Sequence, residues 1–139
     1  IGDYTKNIYD LARSHPKRLQ AGSLEDKLCE VEVHIAQVFE RATEAFKKGD
    51  EGLARQVMEE YKEEVSTDCD DMADDIITGK VSDLAAPEAA AVVLYARFLK
   101  RIGSHSRNIA TSIVNPFHRI GYQEKKKKEP ETEIISPAE

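Results

Sequence analysis

The sequence predicts an all-α protein, an antiparallel three-helix bundle with one extra helix in front of it. Three observations carry this expectation. Apolar residues recur at alternating three- and four-residue spacing along three long stretches, the period of a helix with one buried face. Hydrophobic residues make up 40% of the chain and aromatics only 6%, with no Trp, 7 Gly and 5 Pro, which favours helices packed through aliphatic side chains. Finally, one segment occurs twice. Ile1-Gly2-Asp3-Tyr4-Thr5-Lys6-Asn7-Ile8 is matched by Ile102-Gly103-Ser104-His105-Ser106-Arg107-Asn108-Ile109, at an offset of 101 residues. Self-similarity at a fixed offset indicates copies of one supersecondary unit, and this offset suits one small bundle per copy. The chain is therefore expected to start inside the last helix of one copy, in keeping with Ile rather than Met at position 1, and to contain a second copy whole.

The elements follow in order. Residues 1–15 read as the last helix of the preceding copy, with Ile1, Tyr4, Ile8 and Leu11 at helical spacing. Ser14-His15-Pro16 stops it, because a residue before Pro resists helical geometry. Residues 16–23 form a linker, and Ser23 is the expected N-cap of the next helix, with Glu25 and Asp26 in its first turn. That helix runs from Leu24 to about Lys48, with the stripe Leu24, Leu28, Val31, Ile35, Val38, Ala42 and Ala45. Gly49-Asp50 ends it and caps its successor. The following helix, from about Glu51 to about Thr78, carries Ala54, Met58, Tyr61, Val65, Cys69, Met72 and Ile76 on one face. A loop at Gly79 and 82–87 leads to the last long helix, Pro87 to Asn115, with Pro87 in its first turn. Its expected stripe is Ala91, Leu94, Phe98, Ile102, His105, Ile109 and Ile113, and Pro116 closes it. The bundle repeat thus spans 24–122. Residues 123–139, with Lys125 to Lys128 and a Glu/Pro-rich end, read as a charged, disordered tail.

Bulk properties exclude some functions. A chain of 139 residues is one domain by length and can bury a real core. A formal net charge of −6 argues against nucleic acid as the main partner. The best apolar run, Ala85 to Phe98, is broken by Pro87, Glu88 and Arg97, so no segment is expected to insert in a bilayer. Cys29 lies opposite its helix's apolar stripe and Cys69 within its own, which reads as two free thiols in a reducing compartment. No nucleophile–base–orienter set, phosphate-binding Gly loop or zinc spacing is present in the sequence.

Two charged constellations remain. Asp68, Asp70, Asp71, Asp74 and Asp75 put five carboxylates within eight residues of one helix. Like charges at these spacings weaken a helix, so something should neutralise them. One reading is a hard or borderline cation such as Mg, Ca, Mn or Fe on Asp71, Asp75, Asp70 and Asp74. The other is a solvated acidic face, or ion pairs to a neighbouring helix. On the last helix Arg97, Lys100, Arg101, Ser104, Arg107 and Asn108 fall on about a third of the circumference. An antiparallel hairpin would bring Arg97 and Lys100 level with Asp68 and Asp71. This set reads either as cross-helix salt bridges or as a partner surface. His105, on the apolar stripe, reads as a satisfied core residue.

The stretch Val93-Leu94-Tyr95-Ala96-Arg97-Phe98-Leu99-Lys100-Arg101-Ile102-Gly103-Ser104-His105-Ser106-Arg107-Asn108-Ile109-Ala110 resembles the signature helix of the PhoU family of phosphate-uptake regulators. Members consist of two tandem three-helix repeats, each ending in this signature. Ile1 to Ile8 looks like the end of the first repeat and residues 24–115 like the whole second. The resemblance implies a cytoplasmic, non-enzymatic regulator that works by protein contacts. Its implied partners are a phosphate transporter ATPase or a sensor histidine kinase, and a homodimer is among the assemblies it allows. The related alternatives are the cytosolic module of a sodium/phosphate cotransporter and, from another class, a metal-binding or storage bundle. Some members bind metal through E/D-x-x-x-D motifs. Here the signature's acidic pair falls on Lys100 and Ser104, and the second acidic motif survives as Asp70-x-x-x-Asp74 and Asp71-x-x-x-Asp75.

Overall fold

A computed structural model describes residues 1–15 and 17–124. The expectation for the tail lies outside these residues, save for Gln123 and Glu124. Every regular element among the described residues is helical: α1 (Gly2–Ser14), α2 (Glu25–Lys48), α3 (Glu51–Glu60), α4 (Thr67–Ile77) and α5 (Ala86–Val114). A π-helical segment, Tyr61–Ser66, joins α3 to α4 without a break. What the sequence presents as one helix is therefore a single rod with a wider turn in its middle. Short 3-10 turns stand at Gly22–Leu24 and Phe117–Arg119.

The core forms where α2, the α3–α4 rod and α5 close on one another. On α2 the expected stripe from Leu24 to Ala45 is buried throughout. Gly49 ends this helix in the left-handed conformation, φ 64°, which suits a residue without Cβ. Asp50 then caps α3 by accepting the Leu53 N–H at 2.9 Å. Ser23 departs from expectation: it does not cap α2. Its N–H and hydroxyl both donate to Asp83, at 2.7 and 3.0 Å, tying the start of α2 to the loop before α5. These bonds hold the Asp83 carboxyl below its usual pKa.

Two stripes are shifted from the sequence reading. On α3, Val57 is buried and Met58 only half-buried. From Val57 the buried positions run Tyr61, Val65, Cys69, a spacing of four each time. That spacing drifts off an α-helical face, and the π segment absorbs the drift. On α5 the inner face is Val92, Ala96, Leu99, Gly103, Ser106 and Ala110, not the larger residues one step round. Leu94 is 46% exposed, and Phe98, Ile102, His105, Ile109 and Ile113 are half-buried. Small residues let α5 lie close between two helices. Phe98 and His105 turn toward Tyr4 of α1, while Ile102 and Ile113 pack on the edge of the core.

α1 runs antiparallel to α5. Ile1 lies near His105 and Ile109, while His15 approaches Glu88 at 4.0 Å at the other end. Tyr4 stacks on His105 with centroids 5.5 Å apart and tilts against Phe98 at 6.5 Å. Tyr4 and His105 hold the same place in the two matching segments, so the duplicated stretches meet at equivalent positions. Among the described residues no helix is long and apolar enough to cross a membrane.

The two thiols are free, as expected, with Cys29 exposed and Cys69 buried. Burial pushes the Cys69 thiol up to about 12, so its nucleophilic thiolate is scarce at neutral pH. A disulfide exchange reagent should titrate Cys29 rapidly in the native protein and Cys69 only on unfolding. Rapid native reaction of both would contradict this packing.

Candidate functional site: the charged face of α4 and α5

The site is assembled from three helices. α4 carries the acidic stripe, with Cys69, Met72 and Ala73 holding its inner side in the core. The carboxylates therefore emerge on its two flanks. One flank faces α5: Asp70 receives the Lys100 ammonium, which is mostly buried, and lies 3.7 Å from the half-exposed Arg97 guanidinium. The other flank faces α2, where Lys27 reaches Asp68 at 3.0 Å and Asp71 at 3.7 Å. Burial alone would lower the Lys27 pKa, but Asp68 and Asp71 outweigh it and the pKa rises. Asp75 accepts Lys80 at 2.8 Å, and Asp74 is exposed.

Arg97 and Lys100 come to the expected level, but the acid that they meet is Asp70, which lies between Asp68 and Asp71 in sequence. Which neighbour lies on which flank depends on the handedness of the bundle, which periodicity does not give. Lys27 is the residue that sequence reasoning missed. A single Lys in the first turns of α2, level with the end of an antiparallel acidic helix, was the available signal.

The basic set on α5 is shared among three neighbours. Arg97 and Lys100 serve α4. Arg101 donates from Nε to the Tyr4 hydroxyl at 3.1 Å and lies 5.6 Å from the centre of that ring. Arg107 donates to the Gly121 carbonyl at 3.3 Å, and Ser104 and Asn108 are half-buried beside it. His105 stays below its usual pKa, through burial first and then through nearby positive charge that includes Arg101.

Beneath this surface the π segment and α5 interlock. The Tyr61 hydroxyl donates to the Lys100 carbonyl at 3.3 Å. A Cβ added to Gly103 would stand 2.7 Å from Ile35 Cδ1 and 2.8 Å from Tyr61 Cε2. Gly103 is thus the point where α5 touches both other core helices. Arg41 reinforces the same level, pairing with Glu60 and donating to Gln56 at 2.8 Å.

The acidic stripe suits oxygen-seeking cations by donor type, but its placement does not fit a multinuclear cluster. Asp70, Asp68, Asp71 and Asp75 each face an ammonium or guanidinium group. Among the described residues no three His, Cys, Asp or Glu side chains converge on one point. The charge that the sequence leaves unbalanced on α4 is met by side chains of α2, α5 and the following loop.

Residues 28–113 match the family model of the PhoU domain, well over half of the chain, and the chain belongs to that family. The family connects it with the regulation of phosphate transport. No curated protein and no solved structure matches the chain significantly.

Proposed function

We propose that this domain is a non-enzymatic cytoplasmic regulator that acts by presenting the α4–α5 face to a phosphate transporter ATPase or a sensor histidine kinase. Membership of the PhoU family supports the phosphate connection. The observation that carries the choice of face is the placement of Arg97. Its guanidinium is half-exposed although it lies beside Asp70, because Lys100 already neutralises that carboxylate. Arg101 is exposed one turn further along α5, against Tyr4 of α1, while the carboxylate of Asp70 stands beside Arg97. The face therefore offers both signs of charge in a fixed pattern, which favours selective and fast encounter.

A pull-down with the purified ATPase and kinase domains tests this reading. The double variant Arg97→Glu with Arg101→Glu should retain its helical signal and lose binding by about tenfold or more. Unchanged binding by the folded variant would count against this face.

A further inference from the structure

A cleft of about 500 Å³ opens between α1, the linker that follows it, α2 and α5, and it shares no residue with the charged α4–α5 face. Two alanines make room for it, Ala12 on α1 and Ala91 on α5. Much of its lining is apolar. Leu28 and Ala91 are buried, and Ile8, Leu11 and Leu19 are half-buried around them. Water against such walls makes few hydrogen bonds and is readily displaced by an apolar group. The volume lies in the range of small-molecule sites, which combine apolar walls with a few placed polar groups.

Those polar groups stand at two places. Where α2 passes α5, the Tyr95 hydroxyl donates to Glu32 at 2.7 Å. Burial first, and then this carboxylate, raise the Tyr95 pKa, so the phenol keeps its proton and its hold on the acid. Cys29, three residues before Glu32, lines the same wall with an exposed thiol. Two turns back along α2, Glu25 accepts the Ala21 N–H at 2.7 Å and faces Arg18 at 4.0 Å. Both acids of the cleft thus have donors. The cations of the linker are less fully met. Arg18 is largely exposed at that long separation, and among the described residues no acid pairs with the exposed Lys17 ammonium. His15, beside them, has Nδ1 3.1 Å from the Lys17 carbonyl and Nε2 4.0 Å from Glu88. An apolar floor with spare positive charge at one end is complementary to an anion that carries an apolar body.

We propose that this cleft binds a small monocarboxylate with an apolar body, which lies on Leu28 and Ala91 while its carboxylate meets Lys17 and Arg18. Cys29 supplies the readout, since an occupant of the cleft covers its thiol. The test is the rate at which the whole chain reacts with dithiodipyridine, an uncharged thiol reagent, in the presence of decanoate below its micellar concentration. Saturating decanoate should slow the Cys29 reaction about tenfold, and decyltrimethylammonium, with the same tail and the opposite charge, should leave it unchanged. Lys17→Glu with Arg18→Glu should weaken decanoate about tenfold or more, because two charge-assisted contacts are lost. Ala12→Trp, at an exposed position of the wall, should fill the cleft, so that decanoate no longer alters the Cys29 rate. Both variants change exposed side chains, and their circular dichroism should match that of the parent chain. Three outcomes would overturn the proposal. Decanoate leaves the Cys29 rate unchanged in the parent chain, the cationic amphiphile protects the thiol as well as decanoate does, or the folded double-Glu variant binds decanoate as tightly as the parent.

Discussion

Gly103→Val should lower the unfolding free energy by about 3 kcal/mol, read from urea denaturation. The branched side chain has no room, since even its Cβ would press on Ile35 and on the Tyr61 ring. Ile35 could swing its terminal methyl aside. The Tyr61 ring cannot easily move, because it is buried and its hydroxyl donates to the Lys100 carbonyl. Relief would require α5 to move away from the π segment, and overpacking of this kind costs about 1–3 kcal/mol or more. Gly103→Ala makes an informative partner. It gains helix propensity of roughly 1 kcal/mol, which offsets part of the clash, so its net loss should be smaller. A Val variant as stable as the parent would mean that this contact is not tight.

Met72→Ala should cost a similar amount, about 3 kcal/mol, while Met72→Leu should cost less than about 1.5. Among the described residues Met72 is the largest fully buried side chain, and it anchors α4 against the core. Truncating it removes several methylene equivalents and leaves a cavity that neighbouring backbone cannot fill. The carboxylates around it depend on that anchor for their alignment with Lys27 and Lys100. Proton and carbon shifts of the Lys100 side chain should therefore move in the Ala variant and hold in the Leu variant. A loss under about 1 kcal/mol for Ala would show that α4 is held by its surface charges more than by its core.

The helices and most of their inner faces were legible in the sequence because spacing records them directly. The stripe of α2 needed no correction, since Leu, Val and Ile mark its buried side as far as Val38 and Ala42 and Ala45 continue the same spacing. α5 misled for a physical reason. Much of its inner face is Ala, Gly and Ser, which hydropathy ranks below Phe98 and Ile109, and Phe98 and His105 serve the contact with α1. Met58 misled for another, since a constant α-helical period was extended across a turn of different pitch. The acids of α4 were legible as a cluster, but Arg97 and Lys100 were set level with Asp68 and Asp71 where they meet Asp70, and Lys27 was missed. Hydrophobic period says how a helix faces its core and nothing about which way round its neighbours are arranged.

The wide turn at Tyr61–Ser66 has a consequence for how this protein can change over time. A rod with that turn holds one residue more than a plain α-helix of the same rise, and the wider turn is what keeps its two halves in phase. Losing a single codon in this stretch would let the turn tighten to ordinary α pitch, with Cys69 and Met72 still facing the interior and Asp70 still beside Lys100. Gaining one would twist everything downstream by about 100° unless a second wide turn formed. The length of this stretch can shorten by one residue more readily than it can grow.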